Sequence, residues 1–376
     1  MKPIIFFAAV ALLWSSLSAC GGGGGGSGAA APPPSPSVCD AQQDSINWAA
    51  LRDADCPRLS DYNLFDAAGA PRTPGQVFEP SVKLFSDYTL KYRVVFIPPG
   101  EQARFDAEEA FDFPVGSVIS KTFSLPTTTA GDLPARALET RLMIRREHGW
   151  KGLPYVWDED GSEARLRIAG ALLPQQILRD AVQVDFTYQV PDANQCLKCH
   201  RRGEQGMQPI GVRARYLNQE IDHQGSAVNQ LRLWADQGLL RDVPASLEGL
   251  FRVPAADMPG VTLAEQARGY LDINCSHCHR EGGFAGISGL RLGFEQDPTT
   301  ASYGICKQPP GYDGGAENLA YDIVPGDAQA SILRYRMTQL TARDMMPPVG
   351  RKLVHEEGVA LISAWIDSLP PQSCDR

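Results

Sequence analysis

Apolar and polar positions alternate with a period of two over roughly the first half of the chain and with a helical period over the second. The stretch 88–97 is rich in β-branched and aromatic residues and stops at Pro98-Pro99-Gly100. The stretch 115–123 lies between Pro114 and Pro126, 140–146 alternates, and 153–157 follows a turn at Gly149-Trp150. Asp158-Glu159-Asp160-Gly161 reads as a solvated turn before 164–168, and 182–190 is the clearest alternating strand. Short strands at this spacing predict an antiparallel β domain over 40–190, sandwich or barrel-like. It carries no recognisable catalytic constellation, and Trp150 and Trp157 read as core.

From about 191 the period lengthens. Val228, Leu231 and Trp234 recur at helical intervals and end at Gly238. Thr262-Leu263-Ala264-Glu265 is a capping box, opening a helix that carries Leu263, Ala267, Tyr270 and Leu271 towards Cys275. Near the C-terminus, Val359, Ile362, Trp365, Ile366 and Leu369 share one face of an amphipathic helix. The expected fold class is multi-domain α+β: the antiparallel β domain, a helix-and-loop region over 191–261, and a mostly α-helical domain over 262–376. The stretches 282–289 and 298–322 read as loop and irregular insertion.

The N-terminus changes the picture by supplying an address. Lys2 and the apolar run 4–14 form a signal-peptide pattern too short to span a bilayer. Leu17-Ser18-Ala19-Cys20 resembles a lipobox, so residues 1–19 are expected to be a cleaved signal and Cys20 the lipidated residue. Gly21 after the cysteine resembles an outer-membrane lipoprotein. The Gly/Pro-rich stretch 20–38 reads as a flexible linker. The expected location is the bacterial cell envelope, lipid-anchored at the outer membrane and facing the periplasm. A net charge of −9 argues against nucleic-acid binding; it suits docking to a basic partner, and solubility explains it equally well.

The chemistry lies in a pentapeptide that occurs twice: Cys196-Leu197-Lys198-Cys199-His200 and Cys275-Ser276-His277-Cys278-His279. Cys-x-x-Cys-His is the attachment signature of c-type haem. The two thiols form thioethers to the porphyrin vinyl groups, and the histidine is the proximal iron ligand. With 9 Cys and 6 His in 376 residues, two chance occurrences are negligible. A zinc site would need four ligands per metal, usually in paired clusters, whereas each cluster here has its own histidine at the same place. Two covalent haems are therefore expected, on Cys196, Cys199 and His200 and on Cys275, Cys278 and His279. Cys39, Cys56, Cys306 and Cys374 remain, and an exported compartment permits disulfides. Four thiols allow three pairings. Cys39 with Cys56 closes a short loop and Cys306 with Cys374 ties the insertion to the C-terminus, which is the expected pairing.

The sixth ligand of each iron decides between electron transfer and ligand chemistry. For the second haem the candidates are Met345 and Met346, about 67 residues after His279, with Met346 favoured because it adjoins Pro347. For the first haem the ligand stays open between Met207, His223 and Met258, with His148 of the β domain a further possibility. His277 and His355 read as surface residues. The 191–261 region has too few apolar residues for a complete cytochrome and is expected to lean on the β domain, whereas 262–376 reads as self-sufficient.

Two resemblances follow from these residues. The segment 263–369 resembles the planctomycete-type cytochrome c domain. The likeness rests on the Cys275 motif, Ser288-Gly289-Leu290-Arg291-Leu292, Val324-Pro325-Gly326-Asp327 with Ser331-Ile332-Leu333, Met346-Pro347-Pro348 and Ala364-Trp365-Ile366. Over 60–370 the chain resembles a family of bacterial diheme c-type cytochrome lipoproteins. The markers are Leu84-Phe85-Ser86-Asp87-Tyr88, Phe113-Pro114-Val115-Gly116, Gly152-Leu153-Pro154-Tyr155-Val156-Trp157 and Val190-Pro191-Asp192-Ala193-Asn194-Gln195-Cys196. The resemblance implies two covalent haems and export, and it supplies no substrate. The leading expectation is a membrane-tethered electron carrier between an exported redox partner and a respiratory acceptor. The alternatives are a diheme peroxidase-like enzyme with an open first haem, and a ligand-binding β domain reported by haem.

Overall fold

Val94, Val95 and Phe96 are consecutive and all fully buried, because their strand belongs to a sheet covered on both faces. The computed structural model describes residues 37–40 and 44–375. The expected signal peptide, Cys20 and nearly all of the linker lie outside the described residues. The strands of the first half are β1 (Gln76–Val77), β2 (Leu90–Phe96), β3 (Ala103–Arg104), β4 (Val118–Leu125), β5 (Arg136–Arg146), β6 (Gly149–Trp157) and β7 (Ala164–Leu166). All but β3 form one antiparallel sheet in the order β1-β2-β4-β5-β6-β7. The sheet is open, since β1 and β7 do not pair, so the barrel-like expectation is not met. β8 (Ala171–Arg179) and β9 (Val182–Val190) form a separate hairpin. It turns at Asp180 and Ala181, both with positive φ, as a two-residue loop between right-twisted strands requires.

Alternation sends successive side chains to opposite faces of the sheet. Val94, Phe96, Leu142, Ile144 and Tyr155 pack with α1 (Trp48–Asp53) and Tyr62. The Cys39–Cys56 disulfide closes that layer, and a second disulfide joins Cys306 to Cys374. Val95, Ile119, Met143 and Trp150 face the other way, towards Trp234 of α4. This second layer is assembled from α2 (Ala193–His200), α3 (Ala214–Leu217), the hairpin β10 (Glu220–His223) and β11 (Ser226–Asn229), α4 (Gln230–Asp236), and β12 (Leu240–Arg241). β12 pairs in parallel with β3.

The last third is built on α5 (Leu263–Leu271), α6 (Ile332–Thr338) and α7 (Glu356–Ser368). Thr262 caps α5, accepting from the Glu265 amide, while Glu265 accepts in return from the Thr262 amide. Trp365, Ile362 and Ile366 of α7 pack with Ala267 and Leu271 of α5 in one core. From Ser37 onward the chain packs as one compact unit, and among the described residues no helix is long and apolar enough to cross a membrane.

Two buried carboxylates join the segments. Asp87 accepts from the amides of Lys352 and Leu353 at 2.6 and 2.7 Å. Asp272 accepts from Tyr216 Oη at 2.7 Å and the Phe294 amide at 3.0 Å, with Arg215 Nη1 3.3 Å away. Asp272→Ala would strand the Tyr216 hydroxyl and the Phe294 amide, while Arg215 keeps Glu295 at 2.7 Å; leaving a buried donor unsatisfied costs about 1–3 kcal/mol per group. The expected result is a lower urea midpoint, with Asp272→Asn intermediate; an unchanged midpoint would mean that this junction carries no stability.

Candidate functional site

β9 ends at Val190, and Pro191 turns the chain into α2. There Asp192 accepts from the Gln195 amide at 2.8 Å and Gln195 Oε1 accepts in return from the Asp192 amide. This cap starts the helix that carries Cys196, Cys199 and His200. None of its residues is fully buried, because its inner side borders a cavity beneath the second face of the sheet that measures about 1390 Å³ only when the open solvent at its mouth is counted. Cys196, Cys199, His200 and Met207 line that cavity together with Ile119, Phe123, Met143 and Ile273. The second motif has a cavity of its own, about 1140 Å³ with the open solvent at its mouth counted, lined by Cys275, Cys278, His279, Leu290, Leu292 and Met346. α5 runs directly into a wider helical turn, Asp272–Ser276, which delivers Cys275.

The two histidines are prepared alike. His200 Nδ1 lies 2.8 Å from the Gln208 carbonyl oxygen, which only accepts, so Nδ1 carries the proton. His279 Nδ1 lies 3.1 Å from Ser288 Oγ. That hydroxyl already donates to the Ala285 carbonyl, so it too accepts from Nδ1–H. In both rings Nε2 is left with its lone pair, the tautomer that suits a metal ligand. Burial pulls both imidazoles down to about 4, so both are neutral at pH 7. Burial also pushes the Cys196 thiol up, and the Cys275 thiol up to about 12.

The motifs adjoin. Cys199, His277 and Cys278 offer ligand atoms within 4.8 Å of one another, and Cys199, His277, Phe85, Asn274, Pro347 and Val349 border both cavities. His277 is thus buried between the motifs, not at the surface. The trio alone would give a soft metal three ligands, one short of a closed tetrahedral site, and no fourth Cys, His or carboxylate joins it among the described residues. The second cavity is not enclosed by residues 262–376 alone, since Phe85, Lys198 and Cys199 complete its wall.

Of the two adjacent methionines, Met346 borders the second cavity, whereas Met345 is buried outside its lining. Buried Arg351 holds the Met346 carbonyl through Nη2 at 2.8 Å, and the same guanidinium reaches the carbonyls of Met337, Gln339 and Leu353. Of the first-cavity candidates only Met207 lines the space. His223 ends β10, Met258 sits in a turn, and His148 is exposed in the β5–β6 turn beside a separate hollow. Three lining cations, Arg93, Lys121 and Arg141, were not anticipated. They come from three different strands, and only the strand register brings them together.

Compared with protein-family models, with curated proteins and with solved structures, the chain shows no match in any of the three.

His355 also departs from the surface position expected of it. Its ring stacks on Phe85 at 4.1 Å, its Nδ1 lies 3.1 Å from Tyr270 Oη, and it borders the second cavity. Burial pulls it down to about 4, against about 6.5 in an unfolded chain. Between those values the unfolded chain binds the proton and the native one does not. Its contribution is therefore full above pH 6.5 and is lost as pH falls towards 4. His355→Phe is expected to flatten the dependence of the urea midpoint on pH between 7 and 4.5; an unaltered slope would show that the ring does not titrate with unfolding.

Proposed function

We propose that each cavity holds one c-type haem, bound through Cys196 and Cys199 in the first and Cys275 and Cys278 in the second, and that the protein passes single electrons between a redox partner and a respiratory acceptor. One observation carries the reading: two Cys-x-x-Cys-His motifs, each beside its own large apolar cavity, meet at Cys199, His277 and Cys278. The residues fit the group. Each cavity has two thiols for attachment, a neutral imidazole with its Nε2 lone pair free, and walls that are mostly apolar, as a cofactor site requires. When bound, such a group supplies a reversible one-electron couple.

The chain's own residues divide the remaining work. Gln208 and Ser288 hold the two imidazoles in one tautomer and orientation. Arg351 fixes the backbone that presents Met346 to the second cavity, where its thioether would be available to the iron of a bound haem and would raise its potential. The shared wall places the Cys199 and Cys278 sulfurs side by side, which suits a relay. The sequence resemblance to bacterial diheme cytochrome lipoproteins, a lipid anchor at Cys20 and an exported partner belong to this proposal. The acidic net charge is compatible with a basic docking partner.

A pyridine haemochrome assay of protein from a host that attaches haem should give two covalent haems per chain; none would end the reading. Met346→Ala should abolish the far-red thioether-to-iron band and lower one midpoint potential, whereas Met345→Ala should leave both. Arg351→Ala should weaken the same band, because its loop loses the guanidinium that pins it.

A further inference from the structure

The sheet meets the first cavity with charge. Arg93 on β2 stands directly opposite Lys121 on β4, and Lys121 directly opposite Arg141 on β5. Residues in register on adjacent antiparallel strands share a face about 5 Å apart, so the three cations form a row across the cavity wall. All three line that cavity. The carboxylate beside the row is Glu139, and it is taken. Glu139 forms a bidentate pair with Arg141, Nε to Oε2 at 2.8 Å and Nη2 to Oε1 at 2.5 Å, and accepts from Tyr188 Oη at 2.6 Å. The Lys121 ammonium makes no hydrogen bond or ion pair among the described residues, and it lies 4.7 Å from the Phe123 ring centre. Arg93 likewise has no hydrogen-bonded acid, and Glu79 acts on it only at a distance.

Like charges directly opposite one another in a sheet are destabilising, and unpaired charges lining an apolar cavity are more so. A row of this kind is retained where something negative sits against it. We propose that Arg93 and Lys121, backed by Arg141, form an anion site in the first cavity that takes a carboxylate or small oxyanion. It rests on the haem reading above. The carboxylate has two possible sources: the propionate groups of the haem attached at Cys196 and Cys199, or a free anion from solution. Burial, and then the neighbouring Arg93, push the Lys121 ammonium well below its ordinary range; an anion against it would restore its charge.

The test is a spectroscopic redox titration of the holoprotein and its Arg93→Gln and Lys121→Gln variants, with and without acetate. A cation beside a one-electron centre disfavours the more positive, oxidised form. Each variant is therefore expected to keep two covalent haems and to lower one midpoint potential while leaving the other in place. If both variants lower that potential and acetate does nothing to the wild type, the anion is the haem's own propionate. If acetate lowers the same potential saturably, and the variants weaken it at least about tenfold, the anion comes from solution; that factor is what one charge-assisted hydrogen bond is worth. Unchanged potentials in both variants together with no acetate effect would overturn the site. So would a Lys121→Gln variant that alone turns one haem high-spin, since Lys121 would then be an iron ligand. A haemochrome count of zero in the wild type is a different failure, that of the haem reading itself.

Discussion

The sheet's second face cannot be left to water, and how it is covered decides the rest of the structure. At one end the cover is solid: Trp234, Phe111 and Phe113 fill the space against Val95 and Trp150. At the other end side chains run out, and α2, the segment around Ile210 and the turn at Ile273 roof a void instead. Protein interiors are close-packed, so an apolar hollow beneath a sheet, bordered by thiols and a neutral imidazole, has the form of a seat for a group. The first cavity is thus a property of the sheet as much as of the motif.

The same requirement explains why the second half of the chain cannot be separated from the first. The Asp272 junction and the Asp87 contacts bury carboxylates at the seams. Such groups are tolerated only when every donor is in place. Each seam therefore specifies one arrangement of the three segments, and that arrangement brings Cys199 to Cys278. Pairwise adjacency of the motifs is a consequence of satisfied hydrogen bonds some distance away.

Much of this was legible in the sequence, for identifiable reasons. The strands at 140–146 and 182–190 carry their own period, the one at 88–97 its β-branched and aromatic residues, and the capping box at Thr262 is local chemistry. The two Cys-x-x-Cys-His motifs are read from spacing alone. What could not be read depends on register or on tertiary closure. Arg93, Lys121 and Arg141 are ordinary charged residues in three strands until pairing aligns them. His277 and His355 look like surface positions because nothing nearby in sequence says that Phe85 will cover one and the first motif the other. The choice between Met345 and Met346 turns on which side of one peptide faces the cavity. The open edges of the sheet, in place of a closed barrel, follow from β1 and β7 being only two and three residues long, a length that pattern reading does not resolve.

Arg351 has a consequence of an entropic kind. A loop that carries a ligand normally surrenders its conformational freedom when the ligand binds, and that loss weakens the contact it makes. Here one guanidinium has already gathered carbonyls from α6, from the residues after it and from both sides of the methionine turn. The freedom of the loop is surrendered during folding, before anything enters the cavity. Whatever the second cavity receives meets a backbone already immobilised, and a contact with the Met346 side chain would be weakened only by the side chain's own rotamers.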